Sequence, residues 1–98
     1  MPLFIRLARL TEKANQNIQN MADMIAEAKQ IMEENGARIV QAYVTLGDYD
    51  IIAVVEAPDE KTAAKISALI LQKGNFRAET LSAIPMEDFL KSIEKKEN

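Results

Sequence analysis

The stretch Ala42-Tyr43-Val44-Thr45-Leu46-Gly47-Asp48-Tyr49-Asp50-Ile51-Ile52-Ala53-Val54-Val55-Glu56-Ala57-Pro58-Asp59 decides the fold. It reads as a strand, a tight turn, a second strand and the start of a helix. Gly47-Asp48 falls where a tight hairpin needs residues that tolerate positive φ. The strand beyond it, Tyr49 to Ala57, has the core Ile51-Ile52-Ala53-Val54-Val55, apolar at every position. A strand with water on one side alternates apolar and polar residues, so something must cover each face of this one. Pro58 ends the strand and Asp59 is placed as an N-cap. Asp59 and Glu60 also suit the positive end of a helix dipole.

Upstream of this hairpin, Leu3 to Leu10 reads as the first strand. Leu3, Ile5 and Leu7 take one face, and Phe4, Arg6 and Ala8 the other. Thr11 can cap a helical turn, and Asn15, Asn17 and Asn20 compete for backbone bonds, so an irregular break is expected there. Ile18, Met21, Ala22, Ile25, Ala28 and Met32 then form a stripe at helical spacing, which Asn35-Gly36 stops. The strand Ala37 to Leu46 has one face of Arg38, Val40, Ala42, Val44 and Leu46, and another of Ile39, Gln41, Tyr43 and Thr45.

Downstream, Ala63, Ala64, Ile66, Ala68, Ile70 and Leu71 make a helix whose small residues allow close approach to a sheet, with Gly74 closing it. Phe76 to Ile84 is the fourth strand, with faces Phe76, Ala78, Thr80, Ser82 and Arg77, Glu79, Leu81. Pro85 opens a terminal helix over about 86–95, anchored by Phe89, Leu90 and Ile93, and the tail Glu94 to Asn98 is expected to fray.

The order β-α-β-β-α-β is that of an α+β ferredoxin-like domain, read here as one domain over residues 1–98. Both helices cross on one face of a four-stranded antiparallel sheet and leave the other face bare. Apolar residues on both sides of the central strand predict a second copy packed sheet to sheet. The expected partner is therefore the chain itself, as an isologous homodimer or a higher even oligomer.

Composition narrows the function classes. Among 98 residues there is no Cys and no His, which removes thiolate chemistry, disulfides, the commonest base near neutral pH and the commonest metal ligand. No cofactor motif and no metal-binding cluster is found. The net charge is -3 and no basic run is present, against nucleic-acid binding. No apolar run is long enough to span a bilayer and the first residues do not read as a signal peptide, so the expected location is the cytoplasm, with no membrane partner.

The hairpin Tyr43 to Ile51, followed by Val54-Val55-Glu56-Ala57-Pro58-Asp59, resembles the GYD-domain family, named for a Gly-Tyr-Asp signature. Here Gly47 is followed by Tyr49-Asp50 with Asp48 between. The run Gly74-Asn75-Phe76-Arg77-Ala78-Glu79-Thr80-Leu81 is similar to the family's second signature, and the likeness extends from the first strand to about Phe89. The first helix departs most, with Lys13-Ala14 where the family usually carries a Gly. The resemblance implies a dimeric α/β barrel built on ferredoxin-like subunits, and brings no activity residue by residue. The wider superfamily includes small monooxygenases, ligand-sensing domains of transcription regulators and structural proteins, so fold does not decide function.

Seven residues are candidates for a ligand site: Arg6, Tyr43, Thr45, Tyr49, Asp50, Arg77 and Glu79. Gly47, Tyr49 and Asp50 read first as turn chemistry, and alternatively as a phenol and a carboxylate at a pocket mouth. Arg6, Arg77 and Glu79 lie on neighbouring strands and, if they share a face, make a charge-paired cluster at an interface or around an anionic small molecule. Gln41, Tyr43 and Thr45 are either a polar interface or the lining of a cleft between sheet and helices. Three functions follow. The leading one is a non-catalytic oligomeric module binding a small molecule or a partner. The others are a cofactor-free monooxygenase or isomerase with Tyr43 or Tyr49 beside Arg6, and a purely structural assembly unit. The enzyme reading requires those side chains to converge on one open cavity.

Overall fold

The computed structural model describes residues 1–95. Strands β1 (Leu3–Leu10), β2 (Arg38–Val44), β3 (Ile51–Glu56) and β4 (Phe76–Ala83) form one antiparallel sheet in the order β2-β3-β1-β4. Helices α1 (Glu12–Gln16), α2 (Met21–Glu34), α3 (Glu60–Gln72) and α4 (Met86–Ser92) complete the chain, with a 3₁₀ turn at Ile18–Asn20 between α1 and α2. This is the ferredoxin-like arrangement that the element order predicts.

The helix boundaries follow from local chemistry. Thr11 Oγ1 accepts a hydrogen bond from the Ala14 amide at 3.2 Å and so caps α1. The break expected from the Asn-rich segment falls at Asn17, where the 3₁₀ turn starts. Asp59 Oδ1 accepts from the Thr62 amide at 2.7 Å and caps α3.

Hydrogen bonding from Thr62 holds the Asp59 carboxyl below its usual range. Its folded pKa is therefore lower than its unfolded value of about 3.9. The stabilisation this gives is complete above the unfolded pKa and is lost as pH falls through the folded one. Thermal melts over a pH series should show a weaker acid dependence in Asp59→Asn, which keeps an N-cap but cannot ionise, and an unchanged acid limb would mean the charge on the cap contributes nothing.

The core lies between the sheet and α2 and α3. Phe4, Ala53 and Val55 from the sheet meet Met24 and Met32 of α2 and Ala63, Ile66 and Ile70 of α3. The α2 stripe is rotated from the expected one: Met24 and Met32 are buried, whereas Ile18 and Ile25 stay exposed. The terminal helix also differs. It ends at Ser92 rather than near 95, and Phe89, Leu90 and Ile93 are exposed rather than anchored within the protomer. The last part of the expected frayed tail, residues 96–98, lies outside the described residues.

Two further differences shape the sheet. The β2–β3 connection is a loop over residues 45–50 rather than a two-residue turn, closed by the Thr45 amide donating to the Asp50 carbonyl at 2.8 Å. Gly47 alone in it has positive φ, at 111°. The second difference is a β-bulge: Ile39 pairs with Val55, yet Gln41 pairs with Val54, so Val40 is an extra residue in β2. Strict alternation along β2 fails there. Ile39 and Ala42 face the helices, while Arg38, Gln41 and Tyr43 face the other way.

Candidate functional site

The register sorts the candidate residues onto opposite sides of the sheet. Arg6 lies across from Ala53 on one side and Thr80 on the other, all on the helix-covered face. Leu7 pairs with Glu79 and Arg9 with Arg77, which places those charged residues on the open face. The expected cluster of Arg6, Arg77 and Glu79 therefore does not form. In β4 it is Thr80 and its even-numbered neighbours that share the face of Arg6, and Arg77 and Glu79 are odd.

The loop signature has a structural part to play that its composition alone did not specify. The Asp50 amide donates to the Ala8 carbonyl at 2.9 Å, and Asp50 Oδ2 accepts from the Leu10 amide at 2.8 Å. Thr45 Oγ1 donates to the Tyr49 carbonyl at 2.6 Å. Thr45 and Asp50 thus tie the loop to itself and to the end of β1. Asp50→Ala should cost about 1–3 kcal/mol, because it leaves the Leu10 amide unpaired in a partly buried position. Hydrogen exchange at Leu10 is the check: it should accelerate more than exchange in α3, and equal protection factors in the two proteins would refute the role.

Tyr49 joins a polar chain at the loop end of the open face. Its hydroxyl donates to Glu79 Oε2 at 3.2 Å, and the Arg9 guanidinium sits 4.4 Å from its ring centre. Arg9 Nε also donates to the Asp48 carbonyl at 2.7 Å. A cation over an exposed aromatic ring contributes about 0.5–1 kcal/mol. Arg9 was missed as a site residue, although its parity with Leu3, Ile5 and Leu7 places it on this face. Tyr43 lies on the same face, its hydroxyl bonded to Gln41. Gln41 and Tyr43 do not line the space between sheet and helices, because the bulge at Val40 turns them away from it.

The open face has an apolar centre. One cross-strand row runs Gln41, Val54, Ile5, Leu81 and the next runs Tyr43, Ile52, Leu7, Glu79. Charges rim it, with Arg38 and Glu56 paired at 2.9 Å at one end and Arg9, Arg77 and Glu79 at the other. No helix of the described residues packs over this face, and none is long and apolar enough to cross a membrane.

Between α2 and the sheet lies a cleft of about 80 Å³. Its floor is made of Ala8, Ala42 and Ala53, too short to fill the space beneath the helix, with Arg6 at one side. Ile25 and Ala42 stand exposed at its rim, and Ile70 and Phe76 close the far wall. Arg6 alone of the seven candidates enters this cleft. Tyr43 and Tyr49 lie on or beside the other face, so the Tyr–Arg pocket that a cofactor-free enzyme would need is not assembled. Among the described residues no group of three or more acidic side chains is arranged to hold a metal ion.

The sequence profile of the GYD domain matches residues 4–93. A Thermus thermophilus protein described as a glutamine synthetase and cystathionine beta-lyase binding protein is 36% identical over 91 residues, covering 92% of this chain and 96% of that one. Two solved structures share the fold at 21% identity. One, also from Thermus thermophilus, has a TM-score of 0.56 and covers 87% of this chain and 95% of that one. The other, a hypothetical protein from Pyrococcus horikoshii, has a TM-score of 0.55, covering 87% and 92%.

Proposed function

The chain belongs to the GYD domain family, and on that premise we propose that it is a non-catalytic binding module that works as a homodimer and docks onto other proteins. The observation that carries this reading is the amount of apolar surface a single copy leaves uncovered. Ile5, Leu7, Ile52 and Val54 form a contiguous patch on the open face, and α4 presents Phe89 and Leu90 at 48% and 52% exposure. A small domain gains stability by covering such surface, and contiguous exposed apolar patches mark interaction sites.

The open face suits a second copy. Its centre is apolar on β1, β3 and β4, and its rim carries Arg9 and Arg77 as well as Glu79 and Glu56, so a two-fold axis can set unlike charges opposite one another. Two sheets packed in this way make a dimeric α/β barrel. The helices and α4 then remain outward for a different partner. The relative's description supplies the class of partner: metabolic enzymes such as glutamine synthetase and cystathionine beta-lyase.

The test has two parts on the same sample. Light scattering behind size-exclusion chromatography should return twice the protomer mass. Interferometry against the purified glutamine synthetase and cystathionine beta-lyase of the same organism should give saturable binding to at least one, reduced by Phe89→Glu with the dimer intact. A monomer overturns the assembly, and no binding to either enzyme overturns the partner class.

A further inference from the structure

The cleft between α2 and the sheet is walled by hydrocarbon, from Ile25 and Ala28 on the helix and from Ala8, Ala42, Ile51 and Ala53 on the strands. Arg6 borders it, but Arg6 Nη1 donates to Ser67 Oγ at 2.7 Å and Thr80 Oγ1 at 3.4 Å, on the α3 and β4 side. Such walls suit an apolar occupant, because a polar one would lose its water without gaining bonds. The mouth is apolar as well. Ile25 and Ala42 are exposed there, and so is Val44, which pairs with Ile51 on the same face. At about 80 Å³, the cleft is about half of a void of about 150 Å³ that accepts benzene. It takes the end of one aliphatic side chain and no ring.

The same chain carries a matching projection. α4 sets Met86, Phe89, Leu90 and Ile93 at i, i+3, i+4 and i+7, one continuous apolar stripe, and all four are exposed. No other element packs on α4 beyond a glancing contact. The radius of gyration is 15.7 Å, against about 12–13 Å for a compact domain of this length, and the longest dimension is 62 Å. α4 therefore stands off the body as an arm. A copy cannot seat its own arm in its own cleft. Phe76 at the start of β4 lines the cleft, whereas α4 leaves from the other end of that strand. The eight residues of β4 hold those ends about 23 Å apart.

Both halves of a helix-in-groove contact are thus present in every copy, at equal concentration, and neither is matched within it. We propose that Leu90 of one copy enters the cleft of a second copy, with Met86 and Ile93 lying on the mouth formed by Ile25, Ala42 and Val44. Leu90 is the central aliphatic residue of the stripe, and the ring of Phe89, too broad for the cleft, covers its edge. The contact is heterologous, groove on one copy and helix on the other, so it links copies onward instead of closing a pair. A helix of seven residues buries far less than the roughly 800 Å² per partner of a stable interface. The link therefore forms at high protein concentration and leaves the proposed face-to-face dimer as the species in dilute solution. It engages the arm proposed for enzyme docking, but rests on neither that reading nor the dimer, since cleft and arm belong to the single copy.

The chain has no Cys, so one introduced thiol takes a single nitroxide. Lys91→Cys places it away from the apolar stripe, and the exposed ion pair with Glu87 that it removes, at 3.9 Å, is worth little. Spin-labelled copies at natural isotope abundance are mixed with nitrogen-15 copies of the full chain, so that NMR reads only contacts between copies. At about 1 mM protein the amide signals of Ile25, Ala42 and Ile51 should lose most of their intensity relative to the ascorbate-reduced sample, and recover on dilution to about 20 µM. Leu90→Glu in the spin-labelled copy should restore those signals, as should Ala42→Glu in the nitrogen-15 copy. Both positions are exposed, so both variants should keep the native circular dichroism. The proposal is overturned if the signals keep their intensity at about 1 mM, if the loss survives in either variant, or if it falls instead on the open face around Val54 and Leu81. Loss at the cleft only when both labels share one copy seats the arm in its own body, and overturns it too. Should one variant fail to fold, the other decides. No enzyme is in the sample, so failure here and failure of enzyme docking are read separately.

Discussion

Ile5→Asp is expected to leave the protein folded and to make it monomeric. Ile5 sits at the centre of the open face, between Val54 on β3 and Leu81 on β4. In a single protomer this position is only partly buried, so the substitution costs little more than a strand-propensity difference of about 1 kcal/mol or less. In the proposed face-to-face dimer the same side chain is sealed among apolar neighbours. A buried unpaired carboxylate costs several kcal/mol, and two-fold symmetry applies the penalty twice. At about 3 kcal/mol per protomer the loss is about 6 kcal/mol, roughly four orders of magnitude in dissociation constant. Light scattering should report half the parent mass while circular dichroism stays native. An unchanged mass would show that the open face is not the self-association surface.

The neighbouring position should respond in the opposite way. Phe4 is 3% exposed and points into the core, against Val55 across the strand pair and within the cluster that includes Ala57, Ala63 and Ile66. Phe4→Ala removes a ring from a packed site and leaves a cavity, a loss of about 3–5 kcal/mol. Domains have only about 5–15 kcal/mol in total, and small ones sit near the low end. The melting temperature should fall by roughly 12–40 °C. Urea titration should show a lower midpoint with an unchanged slope, and a midpoint close to the parent's would mean that the site collapses around the missing ring.

Phe4 and Ile5 also show how much of the structure was legible in the sequence. Side chains alternate with a period of two, so Phe4-Arg6-Ala8 and Leu3-Ile5-Leu7 separate onto two faces by counting alone. The apolar run Ile51 to Val55 announced a sheet with both faces to cover. Pro58-Asp59 and Thr11 marked helix starts, and hydrogen bonds at both places bear this out.

What was not legible depends on pairing between distant segments. Whether Arg6 shares a face with Glu79 is decided by the β1–β4 register, which slides by one residue without any change in local propensity. The extra residue Val40 is β-branched and looks like ordinary strand, so nothing in Ile39-Val40-Gln41 signals that alternation stops. That single insertion moved Gln41 and Tyr43 out of the cleft and Ala42 into it. Asp50 was recognisable as a turn residue, but its bond to the Leu10 amide requires knowing which strand end lies alongside the loop. The cleft had no local signal either. It exists because alanines from three strands, Ala8, Ala42 and Ala53, coincide beneath one helix.

The bulge in β2 has a bearing on which contacts the protein avoids. β2 is an outer strand, bordered on one side by β3 and on the other by solvent. Its apolar content, with Val40 and Val44 at 42% and 76% exposure, would suit uncontrolled ladder extension by a foreign strand. Val40 interrupts the even spacing of amides and carbonyls that such an intruder would have to match, and bulges also increase the local twist. Zippering along the rim is thereby discouraged. A margin made unreceptive in this way would leave the proposed pairing of the open faces as the favoured contact between copies.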